Sequence, residues 1–422
     1  MNRWVRLAAA VVAMAMISNL QYCWTLFVQP IMTATGWKLS QVQTGFSIFI
    51  AVVTWAMPLA GWLIDRIGPR VFLSIAGVLC AVGWASLGHA TSLTEFYLIY
   101  AVAGLGVSFV YCSSIGAALK WFPDKRGLAS GIIAGAYGSG AALFILVFSK
   151  MIRINGYRST FVTTGILIGV VIFIAGQFLA YPPAGFASTL KIPVKAKVRK
   201  QGTEDFNSLE MLRKPHFYLM YVMMLMVGIG GLMTSAQVAP VAKTFKIGST
   251  ALALTLTLGP IGNGLGRFFW GWISDYMGRE RTMITAFVLQ SVFLVSVVTL
   301  GPRGDFWFVA SMFMVFATWG EVYVLFAATQ ADMFGAKNAA SNYSFLYNTK
   351  GIAALLAGGI AAVVFERTGS WSYVYYPAAL LALIAAIGAI ALKKIPSPKK
   401  APLLETAANS PAQGFTASHA GD

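Results

Sequence analysis

Charge is scarce in this chain, and so are the residue types from which most catalytic and metal sites are built. Charged side chains make up 11% of the 422 residues, and there are three histidines and three cysteines. Cys23, Cys80 and Cys112 lie in apolar stretches without CxxC spacing, and the histidines are far apart along the chain. Neither a disulfide framework nor a zinc site is therefore indicated. No catalytic triad or phosphate loop is visible, so the sequence predicts no metal, no cofactor and no enzyme.

Apolar residues are abundant instead, since 58% of the chain is hydrophobic and its mean hydropathy is +0.71. Chains with many membrane-spanning helices reach such values, whereas soluble domains do not. The N-terminal apolar run has no small-residue cleavage site, so we interpret it as a first span rather than a signal peptide. We predict an all-α membrane protein with twelve transmembrane helices. They lie at about 7–33, 44–64, 71–88, 93–120, 128–150, 159–181, 216–240, 251–273, 282–300, 306–331, 341–365 and 372–392.

The basic residues are distributed unevenly between the two sides of the predicted membrane. Of the 31 lysines and arginines, 21 fall in segments that are cytoplasmic if both termini lie inside, and eight fall in the outer loops. Such a bias is the positive-inside pattern. The net charge of +17 therefore indicates topology rather than binding to nucleic acid. We predict a multi-pass protein of the cell (inner or plasma) membrane, embedded in the lipid bilayer, with both termini cytoplasmic and a monomer as the functional unit.

A polar segment near the midpoint divides the chain into two halves. We predict an N-terminal six-helix bundle over 1–181, a cytoplasmic linker over 182–215, a C-terminal six-helix bundle over 216–392 and a cytoplasmic tail over 393–422. Within the linker, the sequence DFNSLEMLRK (205–214) is typical of a short capped amphipathic helix at the membrane surface.

An internal repeat supports the division into halves. GWLIDRIGPR (61–70) recurs 210 residues later as GWISDYMGRE (271–280), and WFPDKRG (121–127) has a weaker echo in MFGAKNA (333–339). Two six-helix halves that match at a nearly fixed offset are typical of a two-bundle transporter, which binds its substrate near the midplane between the bundles. The loop at 61–70 resembles the signature of the major facilitator superfamily. That resemblance implies a gating role for Asp65, Arg66, Arg70, Asp275 and Arg279.

Two basic residues remain, and both lie inside apolar spans. Arg267 is part of GPIGNGLGRFFWGW (259–272), and Lys350 is part of YSFLYNTKGIAALLAGG (343–359). A central Arg or Lys costs roughly 2.5 to 3.5 kcal/mol to insert, so each needs a partner that offsets the cost. We predict that a small carboxylate anion is this partner. The alternatives are an Arg267 side chain that extends to the cytoplasmic rim and a structural Lys350 paired with a carboxylate.

Longer stretches resemble the oxalate/formate antiporter family, which also contains monocarboxylate transporters. The resemblance covers nearly the whole chain and is carried by QYCWTL (21–26), WFPDKRGLASG (121–131), DFNSLEMLR (205–213), RFFWGWISDYMGR (267–279) and TWGEVYVLF (318–326). It implies that Arg267 and Lys350 bind the two carboxylates of oxalate. It also implies an aromatic cage with amide donors from Gln21, Tyr22, Gln43, Tyr111, Trp319 and Tyr323. Tyr347 stands where the family's oxalate transporters have a tryptophan, which adds a hydroxyl and changes the size of the pocket.

Two further residues complete the predicted site. Asn263 lies one turn before Arg267, where its amide is able to donate to the same carboxylate. Glu321 lies in the tenth predicted span, where the family's oxalate transporters have a small residue. It is about 200° around the helix from Trp319 and from Tyr323. A carboxyl in hydrocarbon favours its neutral form, so one hypothesis is that Glu321 couples transport to protons, and the alternative is a hydrogen-bonded structural acid.

These observations predict alternating-access transport of small carboxylate anions. Two fixed cations favour a dianion such as oxalate, with a monoanion such as formate returning in exchange. The alternative is proton-coupled symport of lactate or a similar monocarboxylate, which Tyr347 and Glu321 favour.

Overall fold

The computed structural model describes residues 2–183, 186 and 204–399, and the chain is helical in these ranges without a β-strand. Each predicted span corresponds to one helix or to a run of shorter ones. The helices of the first half are α1 Arg3–Tyr22, α2 Thr25–Thr35, α3 Leu39–Trp55, α4 Met57–Ile67, α5 Pro69–Ser86, α6 Leu93–Trp121, α7 Arg126–Ser139 and α8 Ile145–Gln177. The linker contains α9 Ser208–Leu212. The second half contains α10 Pro215–Thr244, α11 Ser249–Met277, α12 Arg279–Thr299, α13 Asp305–Trp319, α14 Val322–Phe334, α15 Ala339–Tyr347, α16 Thr349–Leu355, α17 Ala361–Thr368 and α18 Ser372–Lys394.

Length and composition alone identify eight membrane-spanning helical stretches in the described residues, or nine if the bent pair α3 and α4 is one span. One of the eight, Arg126–Gln177, is 52 residues long and turns back at Gly156, where φ is +77°, so it contains the fifth and sixth predicted spans. The stretches 249–277 and 339–368 are not among the eight. They carry Arg267 and Lys350, and the second of them is divided into shorter helices.

Several spans that the sequence predicts as continuous helices are interrupted. The first breaks at Cys23 and Trp24, the second bends by 43° near Ala56, and the tenth breaks at Gly320 and Glu321. Gly320 lies at a close crossing with α11, because a Cβ there would lie 2.4 Å from the carbonyl oxygen of Asn263. The eleventh span breaks at Asn348 and contains a π-helical turn at Leu356–Ile360.

The two halves touch through equivalent helices. In the first half α5 packs on α6 and α8, and in the second half α12 packs on α13 and α18. Between the halves, α7 packs on α11 and α4 packs on α15. The repeated glycines lie at these two crossings. A Cβ at Gly61 would lie 2.6 Å from the carbonyl oxygen of Ala340, and one at Gly271 would lie 2.3 Å from that of Gly127.

Part of the linker is bound to the turn between α14 and α15. The N–H of Phe206 donates to the carbonyl oxygen of Phe334 at 2.9 Å, and the side chains of Asn338 and Asn342 donate to the carbonyl oxygen of Phe206 at 2.9 and 3.1 Å. The Phe206 ring is buried and lies edge-on to Phe334, with 5.4 Å between the ring centres. The linker is therefore anchored to the second half at this point.

The amphipathic helix predicted over 205–214 is present in shorter form. It spans five residues, Ser208–Leu212, and Asn207 and Glu210 cap its start reciprocally. Met211 is buried against the protein and Leu209 is exposed. The basic run KIPVKAKVRK (191–200) and the tail beyond residue 399 lie outside the described residues.

Replacing Phe206 by alanine should lower the stability of the whole transporter. The substitution removes a buried ring, for which losses of about 3 kcal/mol or more are typical, and Tm in detergent should fall by several degrees. Leu209 lies three residues away and its side chain is exposed, so Leu209→Ala removes no buried contact and should leave Tm unchanged. Equal Tm values for the two variants would mean that the linker does not contribute to stability at this contact.

Candidate functional site

Arg267 is held inside the protein by α7 and α14. It lies on α11 and is 2% exposed, and its Nη1 donates to the carbonyl oxygen of Ala134 at 2.8 Å. Its guanidinium carbon lies 4.8 Å from the centre of the Tyr323 ring, a cation–π contact. Its Nε has no hydrogen-bond partner among the described residues. The alternative in which this side chain extends to the cytoplasmic rim is therefore wrong, and part of its donor capacity is unused.

Lys350 lies on α16, two residues after the break at Asn348. It is 8% exposed, and its Nζ donates to the Tyr347 hydroxyl at 3.1 Å. The Nζ lies 5.3, 5.5 and 5.7 Å from the ring centres of Tyr347, Tyr137 and Tyr323. No carboxylate of the described residues forms an ion pair with Lys350 or with Arg267. The alternative in which Lys350 is a structural partner of an acidic residue has no support in these contacts.

Aromatic rings surround the two cations and pack on one another; we call this group the cage. Tyr111 lies 4.7 Å from Tyr347 and 5.5 Å from Tyr137, and Tyr323 lies 5.6 Å from Tyr347, measured between ring centres. Most of the contacts are tilted or edge-to-face, as the ring quadrupoles prefer. The members of the cage are Tyr22, Tyr111, Tyr137, Trp319, Tyr323, Tyr343 and Tyr347.

A cavity of about 80 Å³ opens beside both cations. Its size suits a solute of a few heavy atoms, and both charged groups reach it. Seven of the ten predicted binding residues line it, and they are Gln21, Tyr22, Asn263, Arg267, Trp319, Tyr323 and Lys350. The remaining lining comes from Gly138, Leu232, Ser235, Pro260 and Phe316. A guanidinium, an ammonium and several amide or hydroxyl groups around one small space are able to hold a compact acid.

The other three predicted binding residues are placed differently. Tyr111 and Tyr347 are buried and form part of the cage without lining the cavity itself. Gln43 lies on α3, and its side chain is outside the described part of the chain.

Tyr137 is a member of the cage that the sequence analysis missed. Its hydroxyl donates to Oε1 of Gln21, and its ring lies beside Lys350. The one sequence feature that points to Tyr137 is its position in the glycine-rich stretch of α7. In the structure this stretch lies against Arg267, since a Cβ at Gly138, the next residue, would lie 3.4 Å from the Arg267 guanidinium carbon.

Glu321 lies between α13 and α14, two residues before Tyr323. Its side chain is fully buried, and no side chain among the described residues hydrogen-bonds its carboxyl oxygens. Glu321 does not line the cavity.

The repeated aspartates both bind the start of a helix in the opposite half. Asp65 accepts the N–H of Ser341 on α15 at 2.9 Å and also pairs with Lys120 at 2.7 Å. Asp275 accepts the N–H groups of Gly127 and Leu128 on α7 at 3.0 and 2.8 Å. A carboxylate at a helix N-terminus satisfies free N–H groups and interacts favourably with the helix dipole. The repeat therefore produces two equivalent contacts between the halves.

A buried ion network extends the second of these contacts. Arg279 pairs with Asp275 at 2.6 Å and with Asp332 at 2.9 Å, and Arg126 pairs with Asp332 at 2.6 Å. The other two predicted gating residues have different surroundings. Arg66 stacks on the Trp62 ring at 3.8 Å, and Arg70 is exposed.

Comparison with known sequences identifies the family of this chain. The Major Facilitator Superfamily profile matches residues 7–239 and 220–418, which together cover nearly the whole chain. The chain is 34% identical over 387 residues to the oxalate:formate antiporter of Oxalobacter formigenes, covering 91% of this chain and 90% of that protein. It is also 22% identical to human monocarboxylate transporter 6, covering 91% of this chain and 79% of the human protein.

Solved structures of the same fold are similar over most of their length. The fucose:proton symporter FucP of E. coli superposes with a TM-score of 0.68 at 12% identity, covering 94% of this chain and 100% of FucP. A bacterial homologue of the iron transporter ferroportin, in an outward-facing state, gives a TM-score of 0.70 at 11% identity with the same coverage. These likenesses show the fold, which is the major facilitator fold of twelve helices in two six-helix bundles.

The fold, the two cross-half contacts, the profile match and the 34% identical relative all lead to one assignment. The chain is a multi-pass membrane transporter and not an enzyme, and it belongs to the oxalate/formate antiporter family of the major facilitator superfamily.

Proposed function

We propose that this transporter exchanges small carboxylate anions by alternating access, with oxalate carried in one direction and formate in the other. One observation carries the proposal: two buried cations without a carboxylate partner in the described residues reach the same small cavity. The 34% identical relative is an oxalate:formate antiporter, which supports the same substrate pair. A compact dianion would place one carboxylate on each cation.

The two cations have different roles in this proposal. The Arg267 guanidinium has unused donor capacity and binds one carboxylate in a planar fork, while the Lys350 ammonium acts as a point charge on the other. The surrounding rings exclude water, and a low local dielectric strengthens both interactions. Tyr347 competes with the substrate for Lys350, because its hydroxyl accepts from Nζ when no substrate is bound.

Release requires the halves to separate at the end that holds Asp65 and Asp275. We place this end in the cytoplasm, together with both termini, because 21 of the 31 basic residues then lie on that side. The moving units are the bundles over 1–181 and 216–392, joined by the linker 182–215 and followed by the tail 393–422. A substrate that neutralises the two cations lowers the cost of closing the site away from water. We take the monomer as the unit of transport.

A second candidate is proton-coupled symport of a monocarboxylate such as lactate. The Tyr347 hydroxyl favours it, because that hydroxyl contacts the Lys350 ammonium where a second carboxylate would otherwise be needed. The fully buried carboxyl of Glu321 supplies a protonatable group. The resemblance to human monocarboxylate transporter 6 is compatible with this candidate.

Counterflow in proteoliposomes separates the two candidates. Vesicles loaded with formate should take up labelled oxalate rapidly, and empty vesicles should not, because the unloaded cationic site crosses slowly. If instead empty vesicles accumulate labelled lactate when the outside is made acidic, and formate loading has no effect on oxalate uptake, the exchange proposal is wrong and symport replaces it.

A further inference from the structure

An apolar groove of about 490 Å³ lies on the surface of the second half, between α11, α12 and α13. These three helices pack on one another, and the groove follows the seam between them. On α11 it is lined by Leu265, Phe269, Ile273 and Met277, which are spaced four residues apart and therefore share one face. Leu265, Phe269 and Met277 are 60%, 44% and 39% exposed, so the groove is open along its side. It shares no lining residue with the small cavity beside the two cations.

The groove has about the length of one leaflet of the bilayer. From Leu265 to Met277 it follows 12 residues of helix, which is about 18 Å at 1.5 Å per residue. Half of a hydrocarbon core of about 30 Å is about 15 Å. Trp272 and Tyr276 are exposed near the Met277 end, and exposed aromatic side chains are typical of the boundary between hydrocarbon and headgroups. The groove therefore extends from the headgroup level to the depth of Arg267.

A basic residue continues the lining of the groove at the headgroup end. On α12 the lining residues are Thr285, Leu289 and Phe293, which are again four residues apart. Arg281 is the next position of this row, and the Thr285 hydroxyl donates to its carbonyl oxygen at 3.1 Å. Arg281 is exposed, and no carboxylate of the described residues pairs with it. Its counterpart 210 residues earlier in the internal repeat is Val71, so the repeated contacts between the halves do not require a charge at this position.

The lining favours a flexible chain over a helix as the occupant of the groove. Transmembrane helices that bind one another in the bilayer approach closely through small residues. Large side chains such as Phe269, Phe293 and Met314 line this groove, and they would hold a helix of a second copy away from Gly266 and Ala317. An acyl chain is able to follow such a lining. An apolar groove that ends at an exposed arginine therefore fits a phospholipid with an anionic headgroup.

We propose that this groove binds one acyl chain of an anionic phospholipid, whose phosphate accepts hydrogen bonds from the Arg281 guanidinium. The lipid comes from the leaflet on the side of Asp275, which we place in the cytoplasm. Its second acyl chain lies among the surrounding lipids. Because the groove is separate from the small cavity, this site does not depend on which anion the protein carries.

The bound chain covers the crossing of α11 and α13 next to the candidate substrate site. Trp270 Nε1 donates to the carbonyl oxygen of Ala317 at 3.0 Å, and a Cβ at Gly266 would overlap the same oxygen. Gly266 directly precedes Arg267. A lipid in the groove therefore stabilises the two helices in this arrangement, and Tm should rise when it binds, because a ligand of the folded state stabilises that state.

Native mass spectrometry of the purified protein in detergent tests the site with phosphatidylglycerol and phosphatidylcholine that have the same acyl chains. Arg281→Gln should lower the affinity for phosphatidylglycerol about fivefold, the factor expected for one basic residue at an anionic surface. Its affinity for phosphatidylcholine should not change. Leu289→Trp, which fills the groove, should weaken the binding of both lipids and abolish the rise in Tm that they produce.

Two matched variants control for the loss of a charge and for added bulk. Arg303 is an exposed arginine beyond the opposite end of α12, and Leu380 is an exposed leucine of α18. Arg303→Gln and Leu380→Trp should bind both lipids as the wild type does. Neither residue contributes to the groove.

Three results would overturn the proposal. The first is equal affinity of the wild type and Arg281→Gln for phosphatidylglycerol, a comparison that uses an exposed side chain and so does not depend on whether Leu289→Trp folds. The second is equal lipid binding by Leu289→Trp and Leu380→Trp, which would place the chain elsewhere. The third is a lipid-free dimer that Leu289→Trp abolishes, which would place a second copy in the groove. None of these measurements involves transport, so the proposed exchange stands or falls separately.

Discussion

Replacing Lys350 by glutamine should abolish carboxylate exchange and should not destabilise the protein. The ammonium provides one of the two charges at the cavity, so we expect the rate of exchange to fall at least a hundredfold, and Arg267→Gln should have an effect of the same size. The unpaired charge costs roughly 2.5 to 3.5 kcal/mol in the folded state, so removing it should leave Tm unchanged or raise it. Counterflow and thermal unfolding in detergent measure the two effects.

Lys120 offers a matched control, because it is a partly buried lysine that does have a carboxylate partner. Its Nζ pairs with Asp65 at 2.7 Å. Lys120→Gln leaves that buried carboxylate without its countercharge, which is strongly destabilising, so Tm should fall. If Lys350→Gln lowers Tm as much as Lys120→Gln does, Lys350 is a structural residue and the proposed substrate site is wrong.

The second large effect is expected from Gly127→Ala. A Cβ at Gly127 would lie 2.2 Å from the carbonyl oxygen of Gly271, and backbone cannot move aside as the tip of a side chain can. Overpacking of this kind costs about 1 to 3 kcal/mol. Gly127 and Gly271 lie in different halves of the protein, so the added methyl group destabilises the conformation in which α7 and α11 are in contact. We therefore expect turnover to drop about tenfold. Steady-state exchange in proteoliposomes measures it.

Gly228→Ala is the control for added bulk in a helix of this protein. A Cβ at Gly228 would have Ala353 as its nearest neighbour at 3.6 Å, an ordinary contact distance, so exchange should continue at the wild-type rate. Wild-type turnover by Gly127→Ala would show that the crossing of α7 and α11 can separate without affecting transport.

The spans were predictable from the sequence because hydropathy averages over some 20 residues, whereas their interruptions were not. The break at Gly320 lies where α11 passes closely, and no local property of the tenth span encodes that approach. The same holds for the eleventh span, whose break at Asn348 precedes Lys350 by two residues. A residue count along an ideal helix places Glu321 in mid-helix, whereas in the structure it lies at a break.

The two cations could be found in the sequence because charged side chains are rare in apolar spans, where each is costly to insert into the membrane. The cage was harder, because tyrosines in apolar helices are common and ring packing gives no local signal. Tyr22, Tyr111, Trp319 and Tyr323 followed from the family resemblance. Tyr137 was missed because its role depends on Gln21 and Lys350, which lie more than 100 residues away in either direction.

Asp275 and Asp65 bind the first turns of α7 and α15. The same two helices supply the hydrogen-bond acceptors for Arg267 and Lys350. Ala134, the acceptor for Arg267, is seven residues beyond Gly127 on α7, and Tyr347, the acceptor for Lys350, is six residues beyond Ser341 on α15. At 1.5 Å per residue these separations are about 10 and 9 Å. In the proposed transport cycle, we expect that loosening either aspartate contact moves one wall of the cavity, so that opening the exit and weakening the binding of the anion occur in a single movement.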